Sequence, residues 1–491
     1  RTALGGAEVE TGFISGDRRR LFEEVARFYA SLEKTPDSGV WSARAFLTME
    51  RGKARGLLDL LEHSVASQSS PQEEGVLDSL YRLDASAPGA GERARALKSR
   101  YAMLRERRVG GALGSFALDS EVSGLEDLEK SLPKGTVALE YALGDTVSLL
   151  WAVDRSGSAL YRLPGRPVLA DGVARLRDAI SRPGPGDAVL LATARSLYTT
   201  LIGPADRRVS KARRLVIVPD GALFDLPFEA LLTRDPKPGA PWKSQPFLAR
   251  SFETAYAPSA SVLLKLEGGG KPAPASGLDL VAMGDPDFSR VEQAGASLRP
   301  LPFSKAEVEC IAALAPSGSA RVFLGADASE AALKAALREK PPRILHLATH
   351  GIVDAAEPVN SSIVLSATQS PPEDGLLRTL EILSLPGAAD LVVLSACESA
   401  RGMISRGEGV VGLSRAFLAS GTRGVVASLW PVSDASTAEL MKGLYGAMLS
   451  SRKPACEGLR EARMRLLDNA QFAHPYYWSP FILIGSRTAP W

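Results

Sequence analysis

Cysteine is nearly absent, with three in 491 residues: Cys310, Cys397 and Cys456. So few and so scattered, they supply neither a disulfide framework nor a four-ligand metal site, and the chain reads as a reducing, cytoplasmic protein. Histidine is as scarce, four in all. A zinc centre would need carboxylates in unusual spacing, so neither a metal nor any other cofactor is assigned. No run approaches 18 consecutive apolar residues, which leaves no candidate for a membrane helix, and no charged-then-apolar leader opens the chain. The first residue is Arg1 rather than Met, so a longer native N-terminus is expected. Charge of one sign is lacking too. Lys+Arg at 58 against Asp+Glu at 56 leaves +2, too even for a protein that binds nucleic acid through its phosphates. Missing as well are the G-x-S-x-G elbow of serine hydrolases and the G-x-x-x-x-G-K-[ST] phosphate loop.

What is present suffices for about three domains and more than one core. From Leu21 to about Arg108 the spacing is helical: Leu21, Val25, Phe28 and Tyr29, then Ala45, Phe46, Met49, Leu57, Leu58 and Leu61 recur at three and four residues. Thr35-Pro36-Asp37-Ser38-Gly39 and Pro88-Gly89-Ala90-Gly91 break the run into helical hairpins. Such hairpins resemble a tetratricopeptide repeat. Their apolar faces exceed what one unit can bury, so they are expected to pack on the rest of the chain or on further repeats. The basic stretch from Arg93 to Arg108 reads as a solvated helix face.

After Leu132-Pro133-Lys134-Gly135 the period changes. Short runs rich in β-branched residues read as strands: Thr136 to Tyr141, Val147 to Val153, Leu215 to Val218, Leu278 to Met283, Ile344 to Ala348, Leu391 to Ala396 and Val425 to Trp430. Alternating with helical stretches, they argue an α/β fold with a largely parallel sheet. The Gly- and Pro-rich stretch Glu267 to Gly277 is a seam between two sub-parts. The expected division is a helical segment over 1–118, an α/β part over 119–266 and a second α/β part over 278–491.

Ligands and chemistry gather beyond the carboxyl ends of parallel strands. One strand there runs into Thr349-His350-Gly351 and another into Cys397-Glu398-Ser399. If the two strands are neighbours, a thiol and an imidazole share an edge, as a cysteine protease requires: the imidazole takes the thiol proton and the thiolate attacks a carbonyl. The N–H groups of Gly351 and Cys397 would serve as the oxyanion hole. A lone cysteine after an apolar strand is ordinarily an inert core residue. His350 changes that, lying 47 residues before Cys397, close to the caspase spacing. His346, inside its strand, reads as a core histidine, His474 as a structural anchor, and His63 as remote. Asp220, Asp285 and Asp434 each follow a strand, where acids ordinarily cap turns or helices. Asp434 is also weighed as the acid of a substrate pocket, with Glu398, and would favour Lys or Arg before the scissile bond. Gly407-Glu408-Gly409-Val410-Val411-Gly412 fits G-x-G-x-x-G, but it comes ten residues after Cys397 rather than directly after a strand, so it reads as the start of a helix.

HLATHG (346–351), LSACESARG (394–402), GEGVVGLSRAFLASG (407–421), GVVASLWPVSD (424–434) and HPYYWSPFILIG (474–485) together resemble the CHAT domain, a caspase-like module usually found behind tetratricopeptide repeats. AFLTMERGKARGLLDLL (45–61) and LVIVPDGALFDLPFEAL (215–231) fit the same resemblance. It implies a caspase-like sheet flanked by helices, the 119–266 part being a pseudo-protease-like half and 278–491 the catalytic one. It further implies a cysteine endopeptidase of the caspase, separase and gingipain clan, with His350 and Cys397 as the dyad. The caspase pattern Q-A-C-x-G is not met, since Ser395 and Ser399 replace the Gln and Gly, which removes the ground for specificity toward Asp. The implied partners are a protein substrate, for example a pore-forming gasdermin-like effector in bacterial defence or cell-death signalling, and a regulator acting through the helical segment. The rival reading is a non-enzymatic scaffold in which the α/β domain is a docking platform and Cys397 a core residue.

Overall fold

The computed structural model describes residues 16–32, 38–64, scattered positions between 72 and 100, 122–183, 187–268, 278–291, 298–352, 361–368, 373–385, 388–395, 408–430 and 434–490. Two helices come first, α1 (Gly16–Ser31) and α2 (Ser38–Ser64), where the three-and-four spacing places them. Most of the expected second hairpin, up to Arg108, lies outside the described residues.

The α/β part opens with α3 (Leu125–Ser131) and the strands β1 (Thr136–Ala142), β2 (Val147–Asp154), β3 (Gly157–Pro164), β4 (Arg214–Val218) and β5 (Glu253–Tyr256). It continues with β6 (Leu280–Pro286), β7 (Ala320–Gly325), β8 (Ile344–Ala348), β9 (Gly351–Ile352), β10 (Ser362–Val364), β11 (Leu376–Arg378), β12 (Leu391–Leu394), β13 (Gly424–Ser428) and β14 (Phe481–Gly485). Interspersed are α4 (Arg166–Ser181), α5 (Asp187–Leu201), α6 (Ala260–Gly268), α7 (Pro302–Ala312), α8 (Glu330–Glu339), α9 (Thr379–Ser384), α10 (Glu408–Ala419), α11 (Asp434–Tyr445) and α12 (Ala455–Asp468).

Among the described residues, eleven strands form one sheet in the order β3-β2-β1-β4-β5-β14-β13-β12-β8-β6-β7. The β1–β2–β3 meander and the β13–β14 pair are antiparallel, and the remaining pairs parallel. The fold is therefore the mixed α/β class with a mostly parallel, helix-flanked sheet. Strands β9, β10 and β11 make a small second sheet. Because β14 returns between β5 and β13, the sheet runs unbroken through both α/β sub-parts. A buried ion pair also spans them: Arg463 on α12 meets Glu229 at 2.8 Å, and the Thr254 hydroxyl donates to the same carboxylate.

Strand alternation fixes which residue faces which core. Val137, Leu139 and Tyr141 of β1 join the larger cluster with α4 and α5, while Ala138 and Ala142 face α1, α2, α3 and α6. On the latter side Trp151 of β2 meets the edge of Phe46 on α2, ring centroids 5.7 Å apart. Each such large side chain, once buried, contributes about 1.5–3 kcal/mol. Polar contacts add direction to this docking. The Glu50 carboxylate on α2 accepts the N–H groups of Ala260 (3.1 Å) and Ser261 (2.6 Å), capping the positive end of α6. Lys53 reaches Glu140 of β1 at 3.3 Å, while burial and the neighbouring Glu50 carboxylate push the Glu140 carboxyl well above the usual range. The α1–α2 hairpin is thus seated on the sheet, and α2 also packs against α10.

Candidate active site

Strand β8 is buried throughout because its neighbours flank it on both sides: Leu347 pairs with Leu394 of β12 and with Met283 of β6. All three strands run parallel, so their carboxyl ends share one edge. Strand β13 pairs parallel with β12 on its far side and joins that edge. The expected neighbours of the cysteine-bearing strand are in place.

At the exit of β8 the Thr349 hydroxyl donates to the Val364 carbonyl, and the Val364 N–H donates to the His350 carbonyl at 2.8 Å. His350 and Val364 therefore form the hydrogen-bonded pair of the β9–β10 ladder, and the next pair, Gly351 with Ile363, is the non-hydrogen-bonded one. The Gly351 N–H points away from β10.

The His350 ring is 3% exposed, and its Nε2 lies 2.7 Å from the carbonyl oxygen of Arg299. A carbonyl only accepts, so Nε2 carries the hydrogen and, in the neutral ring, Nδ1 holds the free lone pair. Phe288 lies against the same ring, centroids 5.0 Å apart at 46°. Sequence reasoning missed both groups. A backbone carbonyl has no sequence signal, and Phe288 stands in a polar turn outside any periodic pattern.

Cys397 and Glu398 lie outside the described residues. The chain is described as far as Ser395, whose N–H donates to the Leu347 carbonyl at 3.0 Å and so continues the β8–β12 pairing. Asp434 is the first residue of α11, two residues ahead of the start expected near Ser436; its side chain is outside the described set.

The other candidates sort by their partners. His346 is fully buried on β8, with Nδ1 at 2.9 Å from the Tyr445 hydroxyl and Nε2 facing a Glu307 oxygen at 3.0 Å without a hydrogen bond between them, so it lies within the core. His474 accepts the Tyr476 N–H at 3.1 Å, and burial pushes its pKa down to about 4. His63 falls in α2, and its side chain is outside the described set. The Cys456 thiol donates to the Arg487 carbonyl at 3.0 Å, and burial pushes it up to about 11, far from a reactive thiolate. Cys310 is exposed on α7. Asp220 accepts the Leu143 N–H at 2.6 Å, and the Asp285 N–H donates to Ser304 at 2.8 Å.

One carboxylate cluster, Glu330, Glu373 and Glu381, has the geometry to hold a cation, and Lys334 already supplies one, at 2.7, 2.8 and 2.9 Å from the three. Burial works against the ammonium charge, but Glu381 and Glu330 outweigh it and hold the lysine above its usual range. Burial and Glu381 push Glu330 well up. The cluster ties α8 to α9 and to the segment before β11.

Residues 191–486 match the CHAT domain family. Over 128 residues, 26% of the chain, the sequence is 37% identical to tetratricopeptide repeat protein 28 of Mus musculus, and over 122 residues 35% identical to that of Homo sapiens. Each match takes in 5% of the relative's length. In fold the chain is similar to separase in the Saccharomyces cerevisiae separase–securin complex, with a TM-score of 0.55 and 12% identity over 95% of this chain and 36% of that one. The Arg-specific cysteine proteinase gingipain R also aligns, over 66% of this chain and 74% of its own, at 9% identity and a TM-score of 0.35, too distant to carry an argument.

Proposed function

The chain belongs to the CHAT domain family, and from that premise we propose that it is a cysteine endopeptidase that cleaves a partner protein with a His350–Cys397 dyad. The observation that carries the reading is the tautomer imposed on His350. Its Nε2–H is committed to the Arg299 carbonyl, and Nδ1 is left as a base at the exit of a strand paired with β12. Cys397 follows Ser395 by two residues, and two residues of chain reach no further than about 7 Å.

Nδ1 takes the thiol proton, and the thiolate attacks the scissile carbonyl. The imidazolium keeps its Nε2–H on the Arg299 carbonyl, which stabilises the positive charge as it forms. The N–H groups of Gly351 and Cys397 receive the oxyanion, each donor being worth about 2.7–4 kcal/mol in the transition state. The imidazolium then protonates the leaving amine, and a thioester remains on Cys397. Water attacks the thioester with His350 again as base, releasing the acid and regenerating the thiol.

In this reading residues 278–491 are the catalytic part and 119–266 a non-catalytic counterpart. Asp434 and Glu398 supply acid to the pocket for a basic residue before the scissile bond. Regulation enters through the helical segment, since α2 is seated on the sheet and against α10. The separase relative is held with securin, and a protein regulator is proposed here by analogy. A gasdermin-like substrate and a bacterial-defence setting rest on the family resemblance alone; the curated relatives above are mammalian.

The test is a peptide-library cleavage profile of the wild type beside Cys397→Ala, with an electrophilic peptide probe and site-resolved mass spectrometry. Cleavage and probe labelling are expected in the wild type and neither in the variant. Cleavage retained by Cys397→Ala overturns the nucleophile, and an unlabelled wild type that cleaves nothing leaves the docking platform.

A further inference from the structure

Two segments converge on the His350 imidazole: the chain after β6, and the residues before α7 that carry the Arg299 carbonyl. β6 ends in Gly284-Asp285-Pro286, and Asp285 holds φ at +49°, a region that residues other than glycine rarely enter and that Asp enters more readily than most. Its N–H donates to Ser304 Oγ at 2.8 Å, and the Ser304 hydroxyl donates to the Leu301 carbonyl at 2.7 Å. Ser304 therefore clips the end of β6 to the segment that grips Nε2.

Further along, the Asp287 N–H donates to Ser366 Oγ at 2.8 Å, and Ser366 donates to the Gly325 carbonyl at 2.8 Å. The Asp287 carboxylate accepts the Ser289 N–H at 2.9 Å, and the Val291 N–H closes on the Phe288 carbonyl at 3.1 Å. Each neighbour of Phe288 is thus tied down, although Asp287, Ser289 and Arg290 are exposed. Among the described residues the half-buried Phe288 belongs to neither hydrophobic cluster, and the ring it does meet is that of His350. The anchoring places its ring on His350.

We propose that Phe288 is a positioning residue for His350, its ring holding the imidazole so that Nε2–H stays on the Arg299 carbonyl and Nδ1 keeps one direction. The terminal torsion of a histidine is broad and roughly two-fold, and a half-turn about it puts Cε1 where Nε2 stood and Cδ2 where Nδ1 stood, which breaks the bond to Arg299 and releases the tautomer. One hydrogen bond resists that turn weakly. An aromatic ring tilted against the imidazole resists it sterically and needs no proton to do so. The inference rests on the dyad reading for its consequence, but the tautomer itself is measurable without any substrate.

With four histidines in the chain, selective ¹⁵N-histidine labelling of the full chain gives a readable spectrum, in which His350→Gln assigns the resonance. The wild type is expected to show His350 as a single Nε2–H tautomer. Phe288→Ala, or Phe288→Leu where more volume is needed for folding, is expected to give a mixture of tautomers at His350 with His346 and His474 unmoved. Phe288→Tyr restores the wild-type pattern. In a Cys310→Ala background, Cys397 alkylation at pH 7 falls about tenfold in Phe288→Ala and recovers in Phe288→Tyr. An unchanged His350 tautomer in Phe288→Ala and Phe288→Leu overturns the proposal, whether or not alkylation falls. If instead the tautomer mixes while wild-type Cys397 alkylates no faster than an ordinary thiol, the positioning claim stands and the dyad reading fails.

Discussion

Strand β4 in the amino-terminal half of the sheet and β8 in the carboxy-terminal half occupy equivalent places. Each is an apolar strand between two parallel neighbours, β1 and β5 for the one, β12 and β6 for the other. Each exits into a polar residue followed by glycine: Asp220-Gly221 and His350-Gly351. Both polar side chains are almost wholly buried. They differ in what the backbone asks of them. The Asp220 carboxylate accepts the Leu143 N–H, which stitches β4 to the end of β1, while Gly221 at φ +52° takes the chain round a turn that a side chain would strain. His350 donates one ring nitrogen to a carbonyl and keeps the other. A strand-end acid that accepts from the backbone performs a structural task; an imidazole that gives to the backbone is oriented and still has a base to offer.

The largest expected effect separates these two exits directly. His350→Ala should lower Cys397 alkylation and any peptide cleavage by about 10²–10⁴ with little change in melting temperature, as loss of a positioned general base does. Asp220→Ala in the same assay should leave Cys397 reactivity unchanged. A collapse of reactivity in Asp220→Ala at full folding would mean that the amino-terminal half takes part in the chemistry and would break the comparison.

Next in size is the other histidine of that chain segment, inside β8 itself. His346→Ala leaves the Tyr445 hydroxyl without its partner and a cavity where a fully buried ring stood, together about 3 kcal/mol or more. The unfolding midpoint should fall accordingly while the folded fraction alkylates normally. Equal loss of reactivity in stable His346→Ala and His350→Ala proteins would erase the distinction drawn between them. Asp220→Ala follows on the stability scale, at about 1–3 kcal/mol for the buried Leu143 N–H left without its acceptor. A denaturant titration reads both.

The seven strands expected from period and β-branched content are all present, because buried strands announce themselves as short apolar runs. The ones missed are instructive. β9, β10 and β11 are two or three residues long, too short for any period. Polar residues open β5, Glu-Thr-Ala-Tyr, and they are buried there because Glu253 pairs with Arg213 and Arg214 and Thr254 meets Glu229, compensation that no local window contains. β14, Phe481–Gly485, did carry an apolar run, in a stretch noticed for its resemblance rather than its period. At the candidate site, placement was legible: His350 stands at the exit of β8 and His346 inside it. The Arg299 carbonyl was not, since any residue type offers the same oxygen and only the fold decides which one arrives.

The smallest expected effect sharpens the contrast between giving to the backbone and accepting from it, within a single residue type. The His474 Nδ1 accepts the Tyr476 N–H at the start of the Pro475–Trp478 turn, and its ring meets Trp242 edge-on at 4.8 Å. Protonating that nitrogen destroys the bond, and burial already disfavours the charge, so the folded pKa is pushed down to about 4 from the ordinary 6.5. The sign for His474 follows from linkage: the folded state binds its proton less readily than the unfolded state, so its contribution is full above pH 6.5 and is lost as pH falls toward 4. At pH 5 the loss is about 1–2 kcal/mol. His474→Asn keeps a side chain able to cap the turn but cannot titrate. The variant should therefore lose less stability than the wild type between pH 6.5 and 4, measured by thermal unfolding. Parallel curves for His474→Asn and the wild type would place the acid sensitivity elsewhere and remove the contrast between the two imidazoles.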